Sequence, residues 1–296
     1  MLQRRAKRVR CKQLLDSAVS VCANTRSSMI ARDMGLNDAL RARYSAALET
    51  DRSKKFDDEF ARTTNLEREI LDEHGESGAK FLLERAGCVP STDGTCPWQL
   101  DGLTAIASVR RVLQPLRKRL PEFLAELEAR VRWVIPTRQG NEWVLTYVCD
   151  HNLYDGRAYY EILFGGPPNG TPRLSDRATS LGWLIPRSVS QFYAIHDGLV
   201  STSRGILATS GLVDLGEIMD PIAAEQRFRP SGYTFQDLLE FSPDGAGNCQ
   251  AFHRRRRDDS DPPTVDWDHE TREISGEMDF WKFADEALLR EILDEE

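Results

Sequence analysis

Apolar residues recur along this chain with two different spacings, and the spacing changes near residue 131. Before that point they recur every three or four positions among charged residues, which is the period of an amphipathic helix. Gly75 and Gly87 interrupt the pattern, and glycine commonly ends helices. The spacing predicts helices over Leu36–Leu48, Phe56–Leu71, Gly78–Ala86, Leu103–Leu113 and Leu120–Val131.

After residue 131, aromatic and β-branched residues become frequent and short turns separate them. Three such runs are Arg132–Pro136, Trp143–Cys149 and Ala158–Phe164. The turns between them, at residues 139–141 and 154–156, contain glycine and polar residues. This arrangement predicts a three-stranded antiparallel meander.

The glycine- and proline-rich stretch at residues 165–170 is predicted to be a linker or a broad loop. We place a domain boundary there. It divides a mainly helical region with a small antiparallel sheet, residues 1–170, from a second domain, residues 171–296.

A short helix between Pro186 and Asp197-Gly198 is the most distinctive pattern of the second domain. Proline suits the first helical position, where a missing N–H leaves no hydrogen bond unmade. Apolar positions from Val189 to His196, including Phe192-Tyr193, recur at helical spacing and predict one packing face. Glycine then ends the helix because it adopts left-handed backbone angles without a Cβ clash.

Strands and a closing helix are predicted further along the second domain. Cys249–His253 is predicted to be a strand, and Phe280–Ile292 an amphipathic helix with Asp279 as its N-cap. The run Thr264–Glu270 alternates, which predicts a strand with two unlike faces. Its apolar face comprises Val265, Trp267 and His269, and its acidic face comprises Asp266, Asp268 and Glu270.

Charge is distributed unevenly along the 296 residues, whose formal net charge is −8. Residues 1–130 carry +4, residues 131–170 carry −1 and residues 171–296 carry −11. An acidic surface repels nucleic acid and favours basic partners. It also serves simply to keep a domain soluble. Both interpretations remain open at this point.

Several classes of protein are not indicated by the sequence. It has no apolar run near the ~20 residues of a membrane helix and no apolar stretch typical of a signal peptide. The six cysteines lack C-x-x-C spacing, and the histidines lack H-E-x-x-H or C2H2 spacing. We therefore expect a cytoplasmic protein without a membrane contact, a metal site or a cofactor.

A glycine-rich turn, Asp244–Asn248, precedes the predicted strand Cys249–His253. With this turn, the patterns of the second domain resemble the SUKH superfamily, which includes fungal cell-wall regulators of the Smi/Knr type and many bacterial immunity proteins. Four features in family order, over roughly residues 172–294, carry the resemblance. The chain departs from the family pattern at Asn248, where an acidic residue is frequent, and in the 170 residues that precede the domain. The four features are Ile185-Pro186 with Phe192-Tyr193 and Asp197-Gly198, the turn Asp244–Asn248, the strand Val265–Glu270, and the helix with Phe280-Trp281 and Phe283.

The resemblance implies an α+β domain, a mixed sheet with packed helices, that binds a protein and is not an enzyme. Many bacterial members neutralise a toxin, often a nuclease, by covering its active site. An acidic surface would suit a basic nuclease and would speed association with it. The expected partner is therefore a basic toxin, and direct nucleic-acid binding is not expected. The sequence leaves the oligomeric state open.

Two sets of residues follow from these expectations. For partner binding we predict acidic and turn residues, and for the fold we predict aromatic and glycine residues of the family-like motifs. The partner-binding set is Asp244, Asn248, Arg255, Arg256, Asp258, Asp259, Asp261, Asp266, Asp268 and Glu270. The fold-determining set is Trp183, Pro186, Phe192, Tyr193, Asp197, Gly198, Gly245, Gly247 and Trp267.

Other functions remain as alternatives. A regulatory scaffold of the Smi/Knr type would use residues 1–170 to hold a second partner. An enzyme would use Glu67, Glu69, Asp72, Glu73 and His74, which also suit a solvated helix face. Four consecutive arginines, 254–257, invite a nucleic-acid interpretation, but three nearby aspartates nearly cancel their charge. Adjacent Cys149, Asp150 and His151 could be read as a catalytic trio, although catalytic groups are normally assembled by the fold.

Overall fold

A computed structural model describes residues 56–91, 95–152, 158–201, 205–217, 219, 232–244, 247–255 and 259–293. The predicted helix Leu36–Leu48 lies outside these residues. The helices are α1 (Phe56–Arg85), α2 (Ala105–Leu113), α3 (Pro121–Arg130), α4 (Asp176–Ser180), α5 (Arg187–Tyr193) and α6 (Phe280–Leu293). The strands are β1 (Val89–Pro90), β2 (Val131–Gln139), β3 (Glu142–Asn152), β4 (Ala158–Gly165), β5 (Leu199–Val200), β6 (Gly205–Ile206), β7 (Val213–Asp214), β8 (Leu238–Pro243), β9 (Cys249–His253), β10 (Thr264–Trp267) and β11 (Ile274–Met278).

Helix α1 is two helices joined at a kink. Gly75 has φ 56° and ψ −132°, which no helical residue adopts. The sequence predicted that a helix stops at this glycine. The interruption is confirmed, and the helix changes direction there. Beyond the kink the chain passes so close to Ile70 that a Cβ on Gly78 would lie 2.5 Å from its carbonyl oxygen. Glycine at this position therefore permits the tight packing of the two halves.

The first sheet has six strands in the order β1-β2-β3-β4-β5-β6, and every neighbouring pair is antiparallel. The predicted meander forms its centre and is confirmed. The strands are longer than predicted because the β2–β3 ladder continues to the hairpin pair Gln139↔Glu142. A bulge between Val131 and Trp133 shifts the register at the start of β2.

The second sheet has five strands in the order β11-β10-β9-β8-β7, again antiparallel throughout. Helices and two sheets together confirm the α+β class. The described strands of residues 171–296 pair antiparallel, however, where the resemblance implied a mixed sheet. Strand β10 also ends at Trp267, three residues before the predicted end. It ends there because the Asp268 carboxylate accepts N–H bonds from Glu270 and Thr271, each 2.8 Å long, and closes a turn.

The main hydrophobic core continues across residue 170. Its buried residues extend from Trp98 to Ile292, and β5 and β6 extend the first sheet beyond the meander. Residues 166–170, which follow β4, form a packed loop and not a linker. Its backbone bonds to the residues after α5, with Asp197 N–H donating to Pro167 and Asn169 N–H donating to Tyr193. The division into domains at 1–170 and 171–296 stays a prediction.

Helix α6 closes the core as predicted. Asp279 Oδ1 accepts the N–H of Trp281 at 2.9 Å and so caps the helix. One turn later the buried Asp285 reaches helix α3, where its Oδ1 accepts the N–H of Phe123 at 2.8 Å. Asp285 therefore satisfies the free N-terminal donors of a helix that begins about 160 residues earlier.

Candidate functional site

Helix α5, the helix of the distinctive sequence pattern, is held from both ends. Pro186 is its N-cap, with ψ 137°, and not its first helical residue as predicted. Asp261, from a distant loop, accepts the backbone N–H of Ser188 at 3.0 Å and its hydroxyl at 2.7 Å. The buried rings of Phe192 and Tyr193 then fix the helix to the core. Asp261 was predicted to contact a partner, but its carboxylate is already used to cap α5.

The residues after α5 form a polar junction with the loop at residues 165–170. Asp197 accepts the backbone N–H of Thr209 at 2.7 Å and the side-chain amide of Asn169 at 3.0 Å. Gly198 has φ 83°, and a Cβ there would lie 2.6 Å from the backbone nitrogen of Ala208. Only glycine fits this position without displacing the backbone of Leu207 and Ala208, which follow β6.

His196 lies beyond the end of α5 and is completely buried. Its Nδ1 lies 2.8 Å from the carbonyl oxygen of Gly166, which can only accept, so Nδ1 carries the hydrogen. Nε2 therefore accepts the hydroxyl hydrogen of Tyr147 at 2.7 Å. Burial lowers the pKa of His196 to about 4, so the ring is neutral near pH 7. Both ring nitrogens have partners within the chain, which makes this a structural histidine.

The other aromatic motif residues are also buried. Trp183 donates its Nε1–H to the Gln236 carbonyl at 3.0 Å, and the guanidinium of Arg254 lies 4.4 Å above its ring. Trp267 donates to the hydroxyl of Tyr233 at 3.0 Å. Gly247 adjoins His269, and Gly245 lies outside the described residues. Arg254 is buried against Trp183, so it is not an exposed phosphate contact.

Two hairpin turns at one end of the second sheet are joined side by side. We call this surface the acidic end: Asp244, residues 247–248 and residues 268–273. Asn248 Oδ1 accepts the backbone N–H of His269 at 2.9 Å and lies 2.7 Å from its Nδ1. His269 was predicted to line the inner strand face, but it lies in the turn after β10. The Asn248–His269 contact holds the two turns in a fixed relation.

Most charged groups at the acidic end are carboxylates. Backbone N–H bonds from Thr271 and Glu270 lower the pKa of Asp268, so this half-buried group stays ionised well below neutral pH. Asp244 accepts the N–H of Gly247 at 2.9 Å within its own turn. Glu270 and Glu273 are exposed, and Arg272 is the single arginine among residues 268–273. The result is a preformed, negatively charged surface.

The predicted partner-binding residues do not form one continuous surface. Asp266 lies within β10, bonded to the Gln250 side chain at 3.1 Å, beside the acidic end. Arg255, Asp259 and Asp261 lie in the β9–β10 loop, at the opposite end of both strands. There Arg255 is ion-paired with Glu277, and Asp259 accepts the Asp261 N–H. Arg256 and Asp258 lie outside the described residues.

The residues considered for catalysis are not assembled for it. Cys149 is completely buried, and burial together with Glu161 and Asp150 raises the pKa of its thiol, which stays protonated. Asp150 pairs with Arg132, and His151 is buried in β3. A protonated, inaccessible thiol is a poor nucleophile.

The helix-face candidates are dispersed along α1. Asp72 accepts the hydroxyl hydrogen of Tyr160 at 3.0 Å, and His74 lies 3.6 Å from Glu73. Glu69 is exposed and Glu67 half-buried. Neither His74 nor His151 lines the cavity described below. Among the described residues, no three His, Cys, Asp or Glu side chains are grouped to hold a metal ion.

A cavity of about 370 Å³ lies between helix α2 and the outer edge of β2. Its walls are residues 99–105 on one side and residues 132–136 on the other, with Glu76 and Lys80 of α1 at the rim. Sequence reasoning missed this groove, and it missed strand β1 next to it. A strand of two residues, such as β1, is too short to show a periodic pattern of apolar positions. A groove depends on how separate elements pack in the folded chain, which a local sequence pattern does not show.

Comparison with known proteins gives no match. No protein-family model matches the chain, and neither a curated protein nor a solved structure shows significant similarity to it. Within the part of the chain that the structure describes, no helix is long and apolar enough to cross a membrane.

Proposed function

We propose that this protein is a non-enzymatic binding protein that neutralises a basic bacterial toxin, in the manner of SUKH-type immunity proteins. The acidic end is the proposed contact surface. The observation that carries the proposal is the pair of hairpin turns joined by Asn248 and His269, which display several carboxylates on a fixed frame. The motif resemblance of residues 171–296 supports the same class of function.

Rigidity makes this surface suitable for binding. Turns that are already closed by Asp244 and Asp268 lose little conformational entropy when a partner docks. Fixed negative charge raises the association rate with a positively charged protein. A nuclease toxin is the favoured partner because it needs a basic surface to hold phosphate.

The structure determines which residues test this surface cleanly. Charge reversal at Asp268 would open its turn, and charge reversal at Asp266 would break the bond to Gln250. Glu270 and Glu273 are exposed on the same surface. The double variant Glu270→Lys, Glu273→Lys therefore changes the charge without removing the Asp244 or Asp268 turn contacts. Glu122→Lys, Glu142→Lys is the matched control, with two exposed glutamates outside the acidic end.

The proposal is tested with purified basic nuclease toxins, beginning with any toxin gene that is found next to the gene for this protein. Binding is measured by calorimetry, and protection by growth of bacteria that express the toxin. We expect the wild type and the control variant to bind and protect, and the Glu270/Glu273 variant to bind at least 10-fold more weakly. Absence of binding and protection by the wild type would reject the function. Equal affinity of both variants would reject the acidic end as its site.

A further inference from the structure

We propose that the connection between helices α2 and α3 binds the phosphate backbone of double-helical nucleic acid without reading its sequence. The acidity of residues 171–296 led to the expectation of no direct nucleic-acid binding, but this site lies outside that range. It is also separate from the acidic end, so the proposal does not depend on the toxin-binding function. We call the site the basic surface, and it comprises Arg110, Arg111, Arg117, Lys118 and Arg119.

The five basic side chains are all exposed, and residues 110–119 contain no aspartate or glutamate. A 3-10 turn, Gln114–Leu116, separates the two arginines of α2 from the three basic residues before α3. Backbone bonds close this turn, since the Arg117 N–H donates to the Gln114 carbonyl and the Arg119 N–H to the Leu116 carbonyl. The basic residues therefore lie on a short, hydrogen-bonded connection that presents them together.

Glu128 of α3 holds two of the arginines side by side. Its Oε2 accepts the Nε–H of Arg110 at 2.9 Å and an Nη2–H of Arg110 at 2.8 Å, and its Oε1 accepts an Nη2–H of Arg117. The Glu128 side chain is only 13 % exposed, whereas that of Arg110 is 61 % exposed and that of Arg117 46 %. A guanidinium has five N–H donors, so both arginines keep donors for a phosphate beyond those that Glu128 accepts.

Two of the other basic residues contact neutral groups. Arg111 donates to the side-chain oxygen of Gln99 at 3.5 Å, and the guanidinium of Arg119 lies 5.5 Å from the centre of the Trp281 ring. These contacts leave both charges uncompensated. Together with Glu128, the five residues carry a net charge of +4. Salt screens charges more than about 8 Å apart at physiological ionic strength, so this local charge acts on a ligand although the whole chain carries −8.

The residue types of the basic surface favour phosphates of nucleic acid over a lipid surface. Four of the five cations are arginines, whose planar fork fits a phosphate with two parallel hydrogen bonds. Membrane attachment through a basic segment generally also uses apolar groups that enter the bilayer. Here the apolar side chains between the cations, Val112, Leu113 and Leu116, are buried in the core.

The aromatic ring at the basic surface indicates a double helix as the ligand. Single-strand binding commonly uses exposed aromatic rings on which bases stack. Trp281 lies against Arg119 and is only 5 % exposed, so its ring is not available to a base. A double helix offers closely spaced phosphates while its bases stay stacked. Contacts to phosphates position a protein on a duplex but carry no sequence information.

The experiment compares two charge-reversal variants of the full chain. Arg111→Glu with Lys118→Glu changes the basic surface, and Arg110 and Arg117 stay intact because they bond to Glu128. The matched control is Arg173→Glu with Arg187→Glu, at two exposed arginines outside the basic surface. Each variant replaces two positive charges by two negative ones. Urea unfolding of each variant establishes that it folds.

Binding is measured by fluorescence anisotropy over a series of salt concentrations. The probes are a labelled DNA duplex two helical turns long, the RNA duplex of the same sequence and the single DNA strand. The first 12 residues, which contain six Lys or Arg, are the same in every variant. A difference between variants therefore reports on the basic surface.

The wild type and the control should bind both duplexes with a dissociation constant on the order of 10⁻⁵ M at physiological salt, and the single strand more weakly. The Arg111/Lys118 variant should bind at least 10-fold more weakly. Its plot of log affinity against log salt should be shallower by about 2, because each lost phosphate contact removes about 0.9 from the slope. If this variant does not fold, Lys118→Glu alone should give a severalfold loss.

Four outcomes would overturn the proposal. The first is no salt-dependent binding of a duplex by the wild type. The second is equal affinity of the Arg111/Lys118 variant and the control. The third is tighter binding of the single strand than of the duplex. The fourth is that phosphatidylglycerol vesicles or polyglutamate compete as well as unlabelled duplex, because the basic surface would then serve a membrane or an acidic protein.

Discussion

Carboxylates have different roles in the interior of this protein and at its acidic end. Inside, Asp197, Asp285 and His196 bond to partners far away in the sequence and join separate elements. At the acidic end, the Asp244 carboxylate accepts the N–H of Gly247, and the Asp268 carboxylate accepts those of Glu270 and Thr271, all within three positions in the sequence. The same chemical groups therefore hold the fold together in one region and shape a local, exposed surface in the other. Changes to the first group should cost stability, and changes to the second should cost binding.

The largest expected effect on the free energy of unfolding comes from lowering the pH, because the buried His196 is neutral in the folded protein. Because the pKa of His196 is about 4 in the folded protein against 6.5 when unperturbed, the unfolded chain takes up a proton first as the pH falls. The free energy of unfolding should drop by about 3 kcal/mol between pH 6.5 and pH 4, with about 2 kcal/mol of that by pH 5. Urea unfolding at a series of pH values measures this.

A second histidine, His253, also contributes to the pH dependence of stability, and its contribution must be separated from that of His196. Burial, aided by Arg255, also lowers the pKa of His253, so it contributes in the same direction. In the variant His253→Asn the slope that remains should belong mainly to His196. A free energy of unfolding that stays constant between pH 7 and pH 5 in that variant would contradict the assignment of a neutral, buried His196.

Removing the carboxylate that joins α6 to α3 should have the next largest effect. Asp285→Ala leaves the N–H groups of Phe123 and Glu122 without their acceptor in a largely buried position. We expect a loss of about 2 kcal/mol in the free energy of unfolding, as for other charged caps. Asp285→Asn keeps one acceptor oxygen and should lose about half as much. Equal stability of Asp285→Ala and the wild type would show that the cap contributes nothing.

The smallest effect on stability is expected at the acidic end. Glu270→Lys with Glu273→Lys should change the free energy of unfolding by less than about 0.5 kcal/mol, since both side chains are exposed and surface substitutions rarely cost more. Urea unfolding at pH 7 measures this. A loss comparable to that of Asp285→Ala would mean that the acidic end is part of the framework, and the contrast between the two regions would fail.

The local parts of the fold were predictable from the sequence. The meander, the kink at Gly75 and the Asp279 cap depend on residues close together in the chain, and their periodicity or capping chemistry is visible there. The packing of residues 165–170 was not, because glycine and proline indicate a loop but not what the loop packs against. Its contacts with Tyr193 and Asp197 arise only in the folded chain.

The candidate sites show the same limit. The alternation of Val265, Asp266 and Trp267 gave the faces of β10 correctly. In the sequence, the alternation of apolar and acidic residues continues to Glu270. In the structure, the Asp268 carboxylate accepts the backbone N–H of Thr271, and this bond closes a turn instead of continuing the strand. Nothing in the sequence showed that Asp261 caps α5, since the bond spans 73 residues.

The bond from Asp285 to helix α3 also has a consequence for the order in which the chain folds. Helix α3 emerges from the ribosome about 160 residues before the carboxylate that completes its first turn. Strands β5 and β6, which finish the first sheet, also follow the meander in synthesis. Contacts so distant in sequence form late and close large loops. The meander therefore lacks the packing of helix α6 on strand β3 until residues 280–293 have been synthesised, and its uncovered apolar surface is prone to aggregate in that interval.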